Sequence, residues 1–267
     1  MTAVARKPRI ESASLLRRPF FWIIGLVIAT FAIAPAIGNN VELRESLILA
    51  CIYITLASNL NLMLGYTGYI NFGGIVFFGL GGYICVYLMS AHGWPLAAAE
   101  LAAGVAVSSL ALLFGLGILR LRGAYFALAT IGVNEAVQAF VSNFEPWGGS
   151  SGLYLSTELF APLGGAMQAL WVIYFLLVAV MGLSLYLSYA IKSSKFGLGL
   201  MAIGQNEAAA AVLGVPAPLY KALCYSISAF FPALAGGLYF FKSAFIQPVD
   251  RPRSKASTGW MKALLKK

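Results

Sequence analysis

Charge is scarce in this chain: 18 Lys and Arg with 9 Asp and Glu amount to 10% of 267 residues, against roughly 25% in a soluble domain. A water-soluble fold of this length would lack the polar residues to coat its surface, which excludes an ordinary aqueous enzyme. Histidine is nearly absent. His92 is the single one, in an Ala-His-Gly-Trp-Pro connection where it reads as a solvated loop residue, so a His-based metal site, a nucleophile triad and a His relay lack parts. The three cysteines, Cys51, Cys85 and Cys224, each lie inside an apolar run with no CxxC spacing, which leaves neither a disulfide framework nor a metal site. No Gly-Lys dipeptide occurs, hence no phosphate-cradling P-loop. Uphill work would draw its energy from a partner or a coupled ion.

What the chain has in quantity is apolar sequence, 60% of all residues with mean hydropathy +0.84. A bilayer core about 30 Å thick needs about 20 apolar helical residues to cross it. Seven such segments are expected, at Phe20–Gly38, Ser46–Leu64, Ile70–Ser90, Pro95–Leu119, Gly123–Asn143, Gln168–Ile191 and Ala222–Ile246. Backbone groups find no water in hydrocarbon, and ten-residue alternating segments are missing, so the fold class is all-α, a polytopic transmembrane helical bundle. The first segment follows basic residues and contains Ala34-Pro35-Ala36 but is longer than a signal-peptide core, so it reads as a retained span.

Charge is concentrated at the ends. Arg6, Lys7, Arg9, Arg17 and Arg18 stand against Glu11 alone, and six basic residues of 250–267 stand against Asp250. Flanking apolar segments in this way, they act as topology signals rather than as a nucleic-acid face. The organisation is then a cytoplasmic basic N-terminus (1–19), a membrane domain (20–246) whose stretch 192–221 is a cytoplasmic loop, and a basic tail (247–267). Arg120 and Arg122 fall inside with that loop. The connections around 39–45, 92–94 and 144–166 fall outside, with Arg44 a mild exception. The seventh span delivers the basic tail outside, against the charge rule, so either that span is re-entrant or the tail is not the native continuation of the domain.

Three segments carry candidate function. From Gly65 to Gly82, GYTGYINFGGIVFFGLGG holds seven glycines in eighteen residues, at about 1 kcal/mol each relative to alanine in a helix. Close helix packing explains them, and so does a broken element lining a transport path around Gly65, Gly68, Asn71, Phe72 and Gly73. In the fifth span Thr130, Asn134 and Gln138 recur every four residues with Glu135 beside them, a polar stripe on an apolar helix. An intramembrane carboxylate is a functional candidate, with an interhelical hydrogen bond as the alternative; Glu100 lies nearer a span end and is less telling. In the 192–221 loop Asn206 is an N-cap, Glu207 suits the helix dipole, Ala208–Ala211 favour helix and Gly214 closes it. A helix of about seven residues, roughly 10 Å long, serves there as a docking knob or as an inert connector.

Together GYTGYINFGGIVFFGLGGY (65–83), LRGAYFALATIGVNE (121–135) with WGGSSGL (147–153), and SKFGLGLMAIGQNEAAAAVLGV (194–215) with Lys221 and AFFPALAGGLY (229–239) resemble the membrane subunits of branched-chain amino-acid ABC importers, the LivM-type permeases. The resemblance spans roughly 45–248. It implies a multi-pass permease of the bacterial inner membrane that pairs with a second homologous permease, two cytoplasmic ATPase subunits and a periplasmic or lipid-anchored binding protein. No cofactor is expected in this chain, since ATP and Mg would be bound by the ATPases. Ala202, Glu207, Ala209, Ala210 and Gly214 then become the coupling residues, and Tyr125, Thr130, Asn134 and Glu135 join the glycine-rich segment on the translocation path. Gly204 stands where the family usually has arginine. The end of the chain also departs, because the family continues with further apolar helices, so a truncated or frame-shifted reading of a longer permease is expected. Related permeases carry urea or short amides, and an ion-coupled transporter using Glu135 is a further alternative; an intramembrane enzyme is not supported.

Overall fold

The computed structural model describes residues 19–37, 41–121, 123–156, 160 and 164–248. Nine α-helices occupy most of them: α1 (Pro19–Ile37), α2 (Val41–Thr67), α3 (Gly74–His92), α4 (Leu96–Ile118), α5 (Ala124–Asn143), α6 (Ala166–Lys192), α7 (Lys195–Gln205), α8 (Glu207–Val212) and α9 (Ala217–Ser243). Two residues each of β1 (Leu153–Tyr154) and β2 (Phe245–Ile246) pair antiparallel beyond the end of α9.

By length and hydropathy α2, α3, α4, α6 and α9 are long and apolar enough to cross a membrane, so the chain is a multi-pass, all-α membrane protein. Of the other two expected spans, α1 is a 19-residue helix whose apolar run includes Trp22–Pro35, while α5 is diluted by Thr130, Asn134, Glu135 and Gln138. Boundaries also shift, α3 starting at Gly74 rather than at the expected Ile70. Helix α2 begins at Val41, five residues before the expected Ser46, and takes in Arg44, which is 6% exposed with its guanidinium over the Trp171 ring, and Glu45, which pairs with Lys242. Partnering of this kind lets charges sit at the end of a span. Helix α9 starts at Ala217 because Pro218 is tolerated in a first turn, and Lys221 thereby moves from loop into helix.

Helix α9 is the axis of the bundle. Its apolar stretch is 67% buried, against 28–44% for those of the other four spans. It runs for 27 residues, from the end that carries Leu119 and Arg120 to the end where Lys242 meets Glu45, about 40 Å at 1.5 Å per residue and so long enough to cross a bilayer. The basic tail lies outside the described residues. Small residues set how near its neighbours come: a methyl at Gly81 of α3 would strike the Ala233 backbone, and one at Gly236 of α9 would strike the Phe78 carbonyl. Where lipid supplies no hydrophobic drive between helices, this close approach gains the dispersion contacts that hold them.

Substituting Gly81→Val is expected to cost about 1–3 kcal/mol by overpacking and to lower the thermal unfolding midpoint in detergent. Gly117→Ala, on α4 with nothing within 4 Å of the added carbon, is expected to be neutral or to stabilise by about 0.5–1 kcal/mol.

Candidate functional site

Asn206 ends α7 and starts α8: its side-chain oxygen accepts from Ala208 N at 3.0 Å and Ala209 N at 3.1 Å. Gly214, at φ +84°, then turns the chain back, as only a residue without Cβ does at low cost. The short return through Pro216 brings the first turns of α9 against α8. Lys221, 2% exposed, places its ammonium 2.9 Å from Glu207 Oε1, 3.0 Å from the Leu119 carbonyl and 3.3 Å from the Tyr69 hydroxyl. The same ammonium lies 4.8 Å from the centre of the Tyr69 ring, and Tyr69 donates to Glu207 Oε2 at 3.2 Å. A buried lysine with a carboxylate, a helix C-terminal carbonyl and an aromatic face is a fully partnered cation. It ties α8, α9, the end of α4 and the segment after α2 into one cluster.

Tyr69 belongs to the unwound segment between α2 and α3. Gly68, at φ +73°, stops α2, and Asn71 Oδ1 accepts from Gly73 N at 2.7 Å to begin α3. Between them the Phe72 peptide has no helical partners. Helix α5 supplies both, Thr130 Oγ1 accepting from Phe72 N at 3.3 Å and Asn134 Nδ2 donating to Phe72 O at 2.9 Å. Residues four apart on a helix share a face, so the stripe read in the sequence grips the backbone of one residue of the break. Beneath, Phe126 sits edge-on to Tyr69 at 5.2 Å and to Tyr225 at 6.2 Å.

The three segments singled out in the sequence therefore converge on residues 68–73. Individual residues divide. Among the residues expected to couple, Glu207 faces inward to Lys221, Ala210 is buried against Ile203 and Ala217, and Ala202 is half-buried; Ala209 and Gly214 are exposed, as are Val212 and Leu213 at 88% and 80%. Gly65 packs on its own helix neighbour Asn61, and Gly73 lies against Asn71 and the Tyr225 hydroxyl. Tyr125 is 73% exposed, and Phe126 fills the interior position instead. Glu135 lies on an exposed face of α5, apart from the gripped peptide. The buried intramembrane carboxyl is Glu100, 7% exposed and set over Gly237 of α9, where a Cβ would collide with it. Gly204 also has a steric reason, since a Cβ there would come within 2.6 Å of the Tyr66 carbonyl.

Sequence reading gave Lys221, Tyr69, Phe126 and Glu100 no site role. A lone lysine within an apolar run is the available signal for the first, because it demands a partner. The two aromatics carry none, being two among many.

Residues 43–261 match the family described as branched-chain amino acid transport system / permease component. The high-affinity branched-chain amino acid transport system permease protein LivM of Escherichia coli (strain K12) is 28% identical, over 90% of this chain and 61% of its own length. The protein of that name from Salmonella typhimurium (strain LT2) is 25% identical over the same shares. The chain thus spans about three fifths of the length of the curated relatives it matches. No solved structure matches it. With its apolar helices and the three segments clustered about the α2–α3 break, the chain belongs to the branched-chain amino acid transport permease family.

Proposed function

We propose that this chain is a permease subunit of an ATP-driven ABC importer for branched-chain amino acids in the bacterial inner membrane. In this reading α1 and α5 complete seven spans. A second homologous permease shares the path, two cytoplasmic ATPase subunits bind ATP and Mg, and a periplasmic or lipid-anchored binding protein delivers solute.

The observation that carries the reading is helix α8 with the turn that joins it to α9. Its apolar tip, Val212 and Leu213, is exposed, while its base is fastened by Glu207 to Lys221 and Tyr69. An exposed tip on a fixed base suits a lever: an ATPase surface seats the tip, and the buried ion pair stops the helix from sliding independently of α9. Tyr69 and Phe72 are three residues apart, so displacement at α8 reaches Thr130 and Asn134 of α5 through two sets of hydrogen bonds. Glu207 acts in this scheme as the fastener, and the seating surface is Ala209, Val212, Leu213 and Gly214.

In proteoliposomes holding the assembled transporter, Val212→Asp with Leu213→Asp is expected to lower ATP-dependent leucine uptake at least tenfold while membrane insertion stays normal. Uptake that proceeds without ATP and collapses when an ionophore dissipates the ion gradient would replace the importer reading with an ion-coupled one. Lys221→Met, which strands the Glu207 carboxylate, is expected to destabilise by about 3 kcal/mol, read as a lower unfolding midpoint in detergent. Adding Glu207→Gln is expected to restore part of that loss.

A further inference from the structure

Between α2 and α6, at the end of the bundle that carries α7 and α8, lies a cavity of about 470 Å³. Its lining changes in order along both helices. On α6 it runs from Lys192 through Ser188 to Leu185, and on α2 from Asn61 through Ser58 to Ile54. A cation at the mouth thus gives way to an amide and hydroxyls, and these to aliphatic wall. We propose that this cavity binds one anionic phospholipid of the adjoining leaflet, its phosphodiester against the Lys192 ammonium and an ester carbonyl accepting from Asn61 Nδ2. The inference needs only a chain that spans a bilayer and therefore stands apart from the importer reading.

The amide makes the site more than a surface lysine. Asn61 is exposed and makes no hydrogen bond among the described residues. It stands six residues before the end of α2, about 9 Å along the axis. A helix of 27 residues exceeds the hydrocarbon core by only about 5 Å at each end, so this amide falls inside the hydrocarbon edge, where an open donor is costly. Gly65, one turn nearer the mouth, makes room for it, since a Cβ there would collide with Asn61 Oδ1. Deeper in, Ser58 and Ser188 share one hydrogen bond at 3.1 Å, which leaves one hydroxyl proton to donate. Tyr66 donates to the Ser188 carbonyl at 3.1 Å and fixes α2 against α6.

Charge selects the class. No Asp or Glu lines the cavity, so the ammonium of a zwitterionic headgroup would meet Lys192 without a counter-ion, whereas a headgroup of net negative charge is attracted. Lysine can lay its stem along the apolar wall and keep its ammonium at headgroup level. The order of the lining is that of a glycerophospholipid, with phosphate outermost, ester carbonyls next and acyl chains deepest. The residues before Pro19 are basic like Lys192, and charge disfavours them as the occupant. A lipid seated here braces α2 about two turns before the break at Gly68.

The test counts phospholipid retained by the full chain in native mass spectrometry after titration in detergent micelles. Phosphatidylglycerol is expected to bind at least tenfold more tightly than phosphatidylethanolamine with the same acyl chains. Lys192→Gln and Asn61→Leu are each expected to weaken phosphatidylglycerol binding at least fivefold, and Ala57→Phe, which fills the cavity from its α2 wall, to abolish it. Arg120→Gln removes an exposed cation outside the cavity and is expected to change nothing. Equal binding of phosphatidylethanolamine, or retention unaltered by both Lys192→Gln and Ala57→Phe, overturns the assignment. So does an equal loss with Arg120→Gln, which marks unspecific attraction, or displacement of the lipid by millimolar inorganic phosphate, which marks a site for free anions.

Discussion

A lysine ammonium buried at the end of an apolar bundle is tolerable only if every face of it is answered, and the architecture around Lys221 follows from that demand. The carboxylate of Glu207, the hydroxyl and ring of Tyr69 and the carbonyl of Leu119 come from different elements of the chain. Removing any one leaves charge or polarity uncompensated in a poor solvent. The cluster therefore holds α8 against α9, and both against the break after α2, more rigidly than alanine-rich packing would.

The helical interior obeys a different constraint. Hydrocarbon does not drive helices together, so contact depends on how close two backbones can come. Gly81 against Ala233 and Gly236 against Phe78 bring α3 and α9 together along one seam. Helix α4 meets α9 likewise through Gly104 beneath Phe230 and Leu234. Packing accounts for Gly81 and Gly82, and Gly68 with its positive φ accounts for the turn, so the glycine-rich segment both packs closely and breaks between α2 and α3.

Two sets of contacts meet at the α2–α3 break. Tyr69 answers the cation on one side of the break, and three residues on Phe72 is held by α5. The unwound stretch is short, its peptide groups are satisfied by side chains rather than by a helix, and it can change shape without melting a span. In the proposed importer this makes it a suitable place for a push at the α8 tip to become a change at Asn134.

Much of this was legible in the residues themselves. Apolar length identified the membrane helices, Asn206 and Gly214 bounded the short helix, and the four-residue recurrence of Thr130 and Asn134 announced a polar face. These are local properties, because capping, helical period and hydropathy depend on neighbours within a few positions. Pairings across the chain were not local. Lys221 with Tyr69, Asn134 with Phe72 and Glu100 over Gly237 join residues separated by 62 to 152 positions, and the choice of Phe126 over Tyr125 for the interior likewise waits on packing. Composition shows that a buried charge or an unwound peptide needs a partner; which partner it receives is decided only when the helices pack, because distance in space is then set by close approach between backbones far apart in the sequence.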